Sequence, residues 1–169
     1  PVHPGSSRDE LAGPRLPEQR DFRDPAGAAG LGDWSLFAVA GAVADAAGAA
    51  IQKAGIDRIG LIGTRHTMGE DFYRVRLRER YGIETIVPEG EDFRAIDDII
   101  FKELVMDRYE EPARVRCLAI IDRLVAEGAR GIVLGCTELP KLVSGAKIAV
   151  PVFDTLQLHA EAAVEEALR

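Results

Sequence analysis

The sequence is poor in the residues that most often build metal centres and disulfide frameworks. Its 169 residues include two cysteines and three histidines, and aromatic residues make up 6%. Two cysteines in a chain of this size do not form a disulfide scaffold, so a reducing cytosol is the expected setting. Cys117 and Cys136 lack metal-ligand spacing, and no His or Cys lies near either to complete a zinc site, so no metal is expected. Basic charge is also in deficit: 21 Lys and Arg against 28 Asp and Glu leave a net charge of −7. A general phosphate-backbone binder carries the opposite balance, so no nucleic-acid partner is expected. No apolar run reaches the roughly 18–20 residues that span a bilayer, and no charged-then-apolar leader opens the chain, so no membrane partner is expected either. Gly60-Leu-Ile-Gly63 lacks the spacing of a dinucleotide-binding loop, and no phosphate-binding loop motif occurs. The first Met is Met68 and the chain opens on Pro1. A processed start, or a piece of a longer sequence, is therefore expected.

What is present reads as one soluble domain, with 47% hydrophobic and 29% charged residues. The character of the chain changes near residue 34. Residues 1–33 hold five of the nine prolines and no 2.0 or 3.6 apolar period, too little to offset ordering entropy. Residues 1–41 are accordingly read as a disordered or unrelated segment, and residues 42–169 as the folded lobe. A helix is expected from Val43 to Ala54, stopped by Gly55. Beyond it, strands and helices alternate. Strands are expected at Arg58–Gly63, Ile83–Val87, Ile132–Gly135 and Ile148–Phe153, the last at an edge or strand end because of Pro151. Helices are expected from Met68 to about Arg80 capped by Thr67, from Asp92 to about Met106, from Pro112 to Glu127, and from an Asp154 cap to Leu168. This order implies a flavodoxin-like, three-layer α/β/α lobe around a mostly parallel four-stranded sheet. The basic run Arg74–Arg80 reads as a solvated helix face. An Ala-rich stretch, Val43–Ile51, faintly echoes Phe153–Val164.

In open parallel sheets, ligands bind beyond the carboxyl ends of the strands. Two loops qualify: Gly63-Thr-Arg-His-Thr67 and Gly135-Cys-Thr-Glu-Leu-Pro140. Cys136 follows its strand directly. Free backbone N–H groups and a helical turn ahead would favour its thiolate, and Gly135 would let a ligand approach the backbone. By position alone, Cys136 reads equally well as a reactive thiol or as a small buried hydrophobe. Cys117 shares the apolar face of its helix and reads as a packing residue. His66 could contact a ligand or sit exposed in its loop, and His159 could face the cleft or be half-buried.

The stretch Ile132-Val-Leu-Gly-Cys-Thr-Glu-Leu-Pro-Lys-Leu142 resembles the second active-site motif of the aspartate/glutamate racemase family. Ile59–Met68, Tyr81–Pro88, Val150–Thr155 and His159–Ala163 resemble further segments of that family in the same order, and Glu138 is the aspartate-racemase-like choice after Cys-Thr. The resemblance implies a C-terminal lobe of a cofactor-independent amino-acid racemase, in which two cysteines act from opposite sides of the substrate Cα. Cys136 would be the catalytic thiol of this lobe, and Thr64, Thr137 and Glu138 would hold the small amino-acid substrate. It also implies a first lobe, with its own cysteine motif, ahead of residue 43. Residues 1–42 contain no cysteine, so inversion by this chain alone is expected to be incomplete. The alternative is a non-catalytic ligand-binding or association lobe. A lone lobe should expose apolar surface, so self-association or a homo-oligomer is expected.

Overall fold

The computed structural model describes the backbone of residues 31–168 and side chains from residue 41. Residues 1–30 lie outside it, and with them most of the segment read as disordered or unrelated. The element order is α1 (Leu31–Lys53), β1 (Arg58–Gly63), α2 (Arg65–Gly69), α3 (Asp71–Tyr81), β2 (Glu84–Ile86), α4 (Gly90–Lys102), a 3-10 turn (Leu104–Met106), α5 (Glu111–Ala126), β3 (Ile132–Gly135), α6 (Leu139–Val143), β4 (Val152–Asp154) and α7 (Thr155–Ala167). The four strands form one sheet in the order β2-β1-β3-β4, and every pairing is parallel.

The two central strands explain the layers. Successive side chains of a strand point to opposite faces. Ile59 and Leu61 of β1 join Val133 of β3 in a core shared with α1 and α3. Ile62 joins Ile132 and Leu134 in a second core built by α4 and α5. With both faces covered, neither strand alternates apolar with polar, and each reads as a short continuous apolar run. The flavodoxin-like α/β/α expectation therefore holds, with α1 packed against both α3 and α7. The two Ala-rich segments that echo each other in sequence are thus neighbours on one face.

Several boundaries differ from the sequence reading, each for a local reason. Helix α1 starts at Leu31, well before Val43. The helix expected from Met68 to Arg80 is two helices. Glu70 (φ −87°, ψ 140°) breaks the path, and Thr64 rather than Thr67 caps the first piece, accepting from the Thr67 backbone N–H at 3.3 Å. Gly82 ends α3 in the left-handed conformation (φ 67°). Strand β4 is only Val152–Asp154. The Pro151 carbonyl accepts from Ile132 N–H (2.9 Å), but proline has no N–H to continue the ladder, and β4 lies at the sheet edge. Asp154 caps α7 as expected, accepting from Leu156 N–H (2.9 Å) and Gln157 N–H (3.2 Å). The basic run on α3 is spent on ion pairs rather than left to solvent alone. Arg76 binds Asp45 of α1 at 2.8 and 2.7 Å, Arg80 binds the same carboxylate at 2.6 Å, and Arg74 pairs with Asp71. Among the described residues, no helix is long and apolar enough to cross a membrane.

Gly135 has a different use from the one its sequence position suggests. A Cβ there would lie 2.7 Å from Thr67 Cγ2 and 3.3 Å from Leu61 Cδ1. The space above this glycine is filled by α2, not left open for a ligand. Gly135→Ala should therefore destabilise the protein by about 1–3 kcal/mol through overpacking. Adding Thr67→Ser, which removes only the methyl group, should recover most of that loss in urea unfolding. Failure of the second change to recover stability would show that the constraint lies in the strand backbone instead.

Candidate functional site

Strands β1 and β3 are paired in register, with Gly60, Leu61, Ile62 and Gly63 opposite Ile132, Val133, Leu134 and Gly135. Both strands end at the same level, so Thr64 and Cys136 leave the sheet side by side. The strand order reverses between these two strands, and in open parallel sheets that switch point is where ligands bind. A cleft of about 430 Å³ opens there, and its lining includes all four candidate site residues: Thr64, Cys136, Thr137 and Glu138. The opposite wall comes from the end of α4 and the 3-10 turn that follows it. Cys117, by contrast, lies in the α4–α5 core with no exposed surface, and burial pushes its thiol up to about 12. His66 is exposed and sits 3.2 Å from Glu70, outside the cleft lining, while His159 is half-buried on α7.

Cys136 is half-buried and is a free thiol. The expectation of a thiolate favoured by its surroundings is not met in this chain. Burial raises the pKa above its ordinary value, and the backbone N–H groups of Glu138 and Leu139, which pull it down, do not outweigh burial. The neighbouring Glu138 carboxylate raises it further. The turn ahead of Cys136 is only five residues long, so little helix dipole is available to help.

Two residues that the sequence reading passed over hold this site in place. Asp97 of α4 is 3% exposed, yet it carries a carboxylate. It accepts from the Arg65 backbone N–H at 2.8 Å and from the Arg65 guanidinium at 2.8 and 2.5 Å, clamping the residue next to Thr64 to α4. Burial works to raise the Asp97 pKa, but the side-chain and backbone hydrogen bonds from Arg65 together outweigh it and hold the group below the ordinary carboxylate range. The signal was present in the sequence: Asp97 lies among Phe93, Ile96 and Ile100 on a core-facing stripe, where a charge needs a partner. Tyr109, between the 3-10 turn and α5, donates its hydroxyl to Glu138. Lys141 Nζ lies 3.8 Å from the centre of the Tyr109 ring and 2.7 Å from Asp107, so a chain of contacts fixes Glu138 at the rim. Thr137 is exposed, with its hydroxyl 3.4 Å from Glu138. Thr155 anchors the end of β3 from the other side, donating to the Leu134 carbonyl at 2.8 Å. Among the described residues, no three His, Cys, Asp or Glu side chains converge to hold a metal ion.

Comparison with known proteins places the fold among solved relatives. The Asp/Glu/hydantoin racemase family profile matches residues 33–163. A protein of Yersinia pestis, described as a candidate Asp/Glu racemase, shares 46% identity and superposes with a TM-score of 0.72, covering 75% of this chain and 55% of its own. An aspartate racemase homologue from Pyrococcus horikoshii shares 34% identity with a TM-score of 0.68, over 75% of this chain and 55% of its own. The aspartate racemase of Picrophilus torridus shares 25% identity with a TM-score of 0.58, over 74% of this chain and 51% of its own. The chain thus spans about half the length of these solved relatives.

The Asp97 clamp has a pH signature. A carboxylate whose pKa is lowered by folding contributes stability above its unfolded pKa, and that stability is lost as pH falls through the folded value. Asp97→Asn should cost about 1–3 kcal/mol at neutral pH. The gap between wild type and variant should begin to narrow as pH drops below about 4, the ordinary carboxylate value, and be lost below the lowered folded value. Urea unfolding at pH 7 and at pH 3 checks this. An equal gap at both values would mean that the carboxylate charge is not what holds the loop.

Proposed function

The chain belongs to the Asp/Glu/hydantoin racemase family, and from that premise we propose that it is the lobe carrying one acid/base thiol of a cofactor-independent amino-acid racemase. The observation that carries this reading is the convergence of Thr64, Cys136, Thr137 and Glu138 on one cleft at the switch point of the sheet. In the reading, the Cys136 thiolate removes the proton from the substrate Cα. The electron pair stays on Cα, delocalised into the adjacent carboxylate, and the proton resides on Sγ until it or a solvent-exchanged proton returns. Thr64 and Thr137 offer hydroxyls to the substrate carboxylate, and the fixed Glu138 offers an acceptor to its ammonium group. Two free cysteines suit a reducing compartment such as the cytosol.

Inversion needs a second acid/base on the opposite side of Cα. Cys117 does not supply it, because it is fully buried away from the cleft. One thiol can therefore exchange the α-proton from one face with retention, and inversion needs a group from outside the described residues. The mouth of the cleft supports a covered, rather than a free, working state: Phe101 is 49% exposed, Val105 61% and Met106 69%, all at the end of α4 and the following turn. The same apolar rim favours a second reading, a lobe whose role is association. Sedimentation should then show self-association of the purified chain, and a monomer at all concentrations would count against that reading.

NMR in D2O with acidic and neutral amino acids of both hands tests the chemistry. The expected result is α-deuteration of one enantiomer without inversion, abolished by Cys136→Ala. Full inversion abolished by the same change would reveal a second acid/base in the chain. No exchange with any amino acid would remove the catalytic reading. Because burial raises the Cys136 pKa, the base form grows as pH rises, so exchange should still be increasing beyond the ordinary thiol range. Glu138→Gln removes a negative neighbour that favours the protonated thiol and should shift that profile to lower pH. A profile already flat at neutral pH would contradict the assignment of Cys136 as the base.

A further inference from the structure

Resting on the reading of the cleft as an amino-acid site, we propose that the substrate side chain it takes is an uncharged aliphatic or thioether chain, not a second carboxylate. The wall facing Thr64 and Cys136 is apolar. Ile100 and Leu104, each 1% exposed, form its base, and the more exposed Phe101 and Val105 form its upper edge. The charged residues in the lining are Asp107 and Glu138, both acidic.

The cations in the surrounding sequence are committed elsewhere. Arg65 is held by the buried Asp97, Lys102 pairs with Asp98 at 2.9 Å, and Arg108 donates to the Lys102 carbonyl at 2.5 Å. Lys141 is engaged by Asp107 at 2.7 Å and by the Tyr109 ring. Freeing any of these would break a contact already made. A carboxylate side chain laid along this wall would lose water against Phe101 and Val105 and lie near the Glu138 carboxylate, and the described residues that line the cleft offer no cation to offset either cost. The acidic pair suits the α-ammonium group, which every amino acid carries, and so does not select among side chains. A methylene or thioether chain instead covers the apolar wall and removes its surface from water.

The test is a titration of the isotopically labelled, purified chain, followed by 1H–15N NMR at fixed ionic strength. The probes are methionine, leucine, aspartate and glutamate in both hands, read at the amides of Phe101, Val105, Cys136 and Thr137. Methionine and leucine should bind at least about tenfold more tightly than aspartate. Val105→Lys, which places a cation on an exposed edge outside the reacting groups, should narrow or reverse that ratio. Aspartate or glutamate binding as tightly as methionine to the wild-type chain would overturn the side-chain assignment and leave the amino-acid site standing. Absence of any shift at these amides with all four would overturn the amino-acid site itself, and the assignment with it. The wild-type comparison decides the matter even if the variant folds poorly.

Discussion

The site depends on one constraint, the parallel pairing of β1 with β3. Their register places Gly63 opposite Gly135, so the two chains leave the sheet at the same height. Everything at the cleft follows from that alignment. Thr64 can cap α2 while facing Cys136. Thr67 can settle on the bare backbone of Gly135, where a Cβ would come within 2.7 Å of its methyl group. The Arg65–Asp97 clamp then ties this corner to α4, and α4 brings Phe101 and its neighbours to the far wall. A slip of one residue in the register would exchange the faces of Ile59 and Leu61 with that of Ile62, placing each in the wrong core. The packing of both cores therefore enforces the geometry of the site.

The two cysteines show how position decides chemistry for one residue type. Cys117 sits on α5 among Ile120, Ile121 and Leu124, where nothing stabilises a charge, and its thiol behaves as a small hydrophobe. Cys136 sits at a strand end, where two backbone N–H groups point toward a thiolate but burial and Glu138 oppose it. The balance keeps Cys136 protonated more of the time than a free cysteine. For a residue proposed to take and return a proton at carbon, this has a use. A thiol that holds its proton more firmly is the stronger base once it has lost it.

Much of the lobe was legible in the sequence because its signals were local. Short apolar runs gave the two central strands, Asp154 gave the start of α7, and Pro151 marked the edge of the sheet. The motif around Cys136 could be placed at a strand end, and the structure brings its Cys136, Thr137 and Glu138 into one cleft with Thr64. What escaped the reading depends on contacts between distant segments. Tyr109 reaches Glu138 across 29 positions, and Asp97 reaches Arg65 across 32. The break at Glu70 was missed because residues 65–81 contain no proline and only one glycine, Gly69, and each half continues a helical pattern. The direction of the Cys136 shift was missed because its burial comes from packing against a core assembled from distant segments, which its sequence neighbours do not reveal.

The rim of the cleft links the lobe's architecture to the chemistry proposed for it. Proton transfer from carbon requires that a carbanion-like centre be shielded from water and approached from two sides. This lobe supplies one thiol, an anchored carboxylate and an apolar wall, and it leaves Phe101, Val105 and Met106 facing outward. Phe101 and Val105 line the cleft that holds Cys136, and Met106 follows Val105 in the same turn. A surface that covered them would also close over the substrate Cα on the side opposite Cys136. Desolvation of the rim and delivery of a second acid/base group would then be accomplished by the same contact, so that the thiol meets substrate in a dry site only when its counterpart is in place.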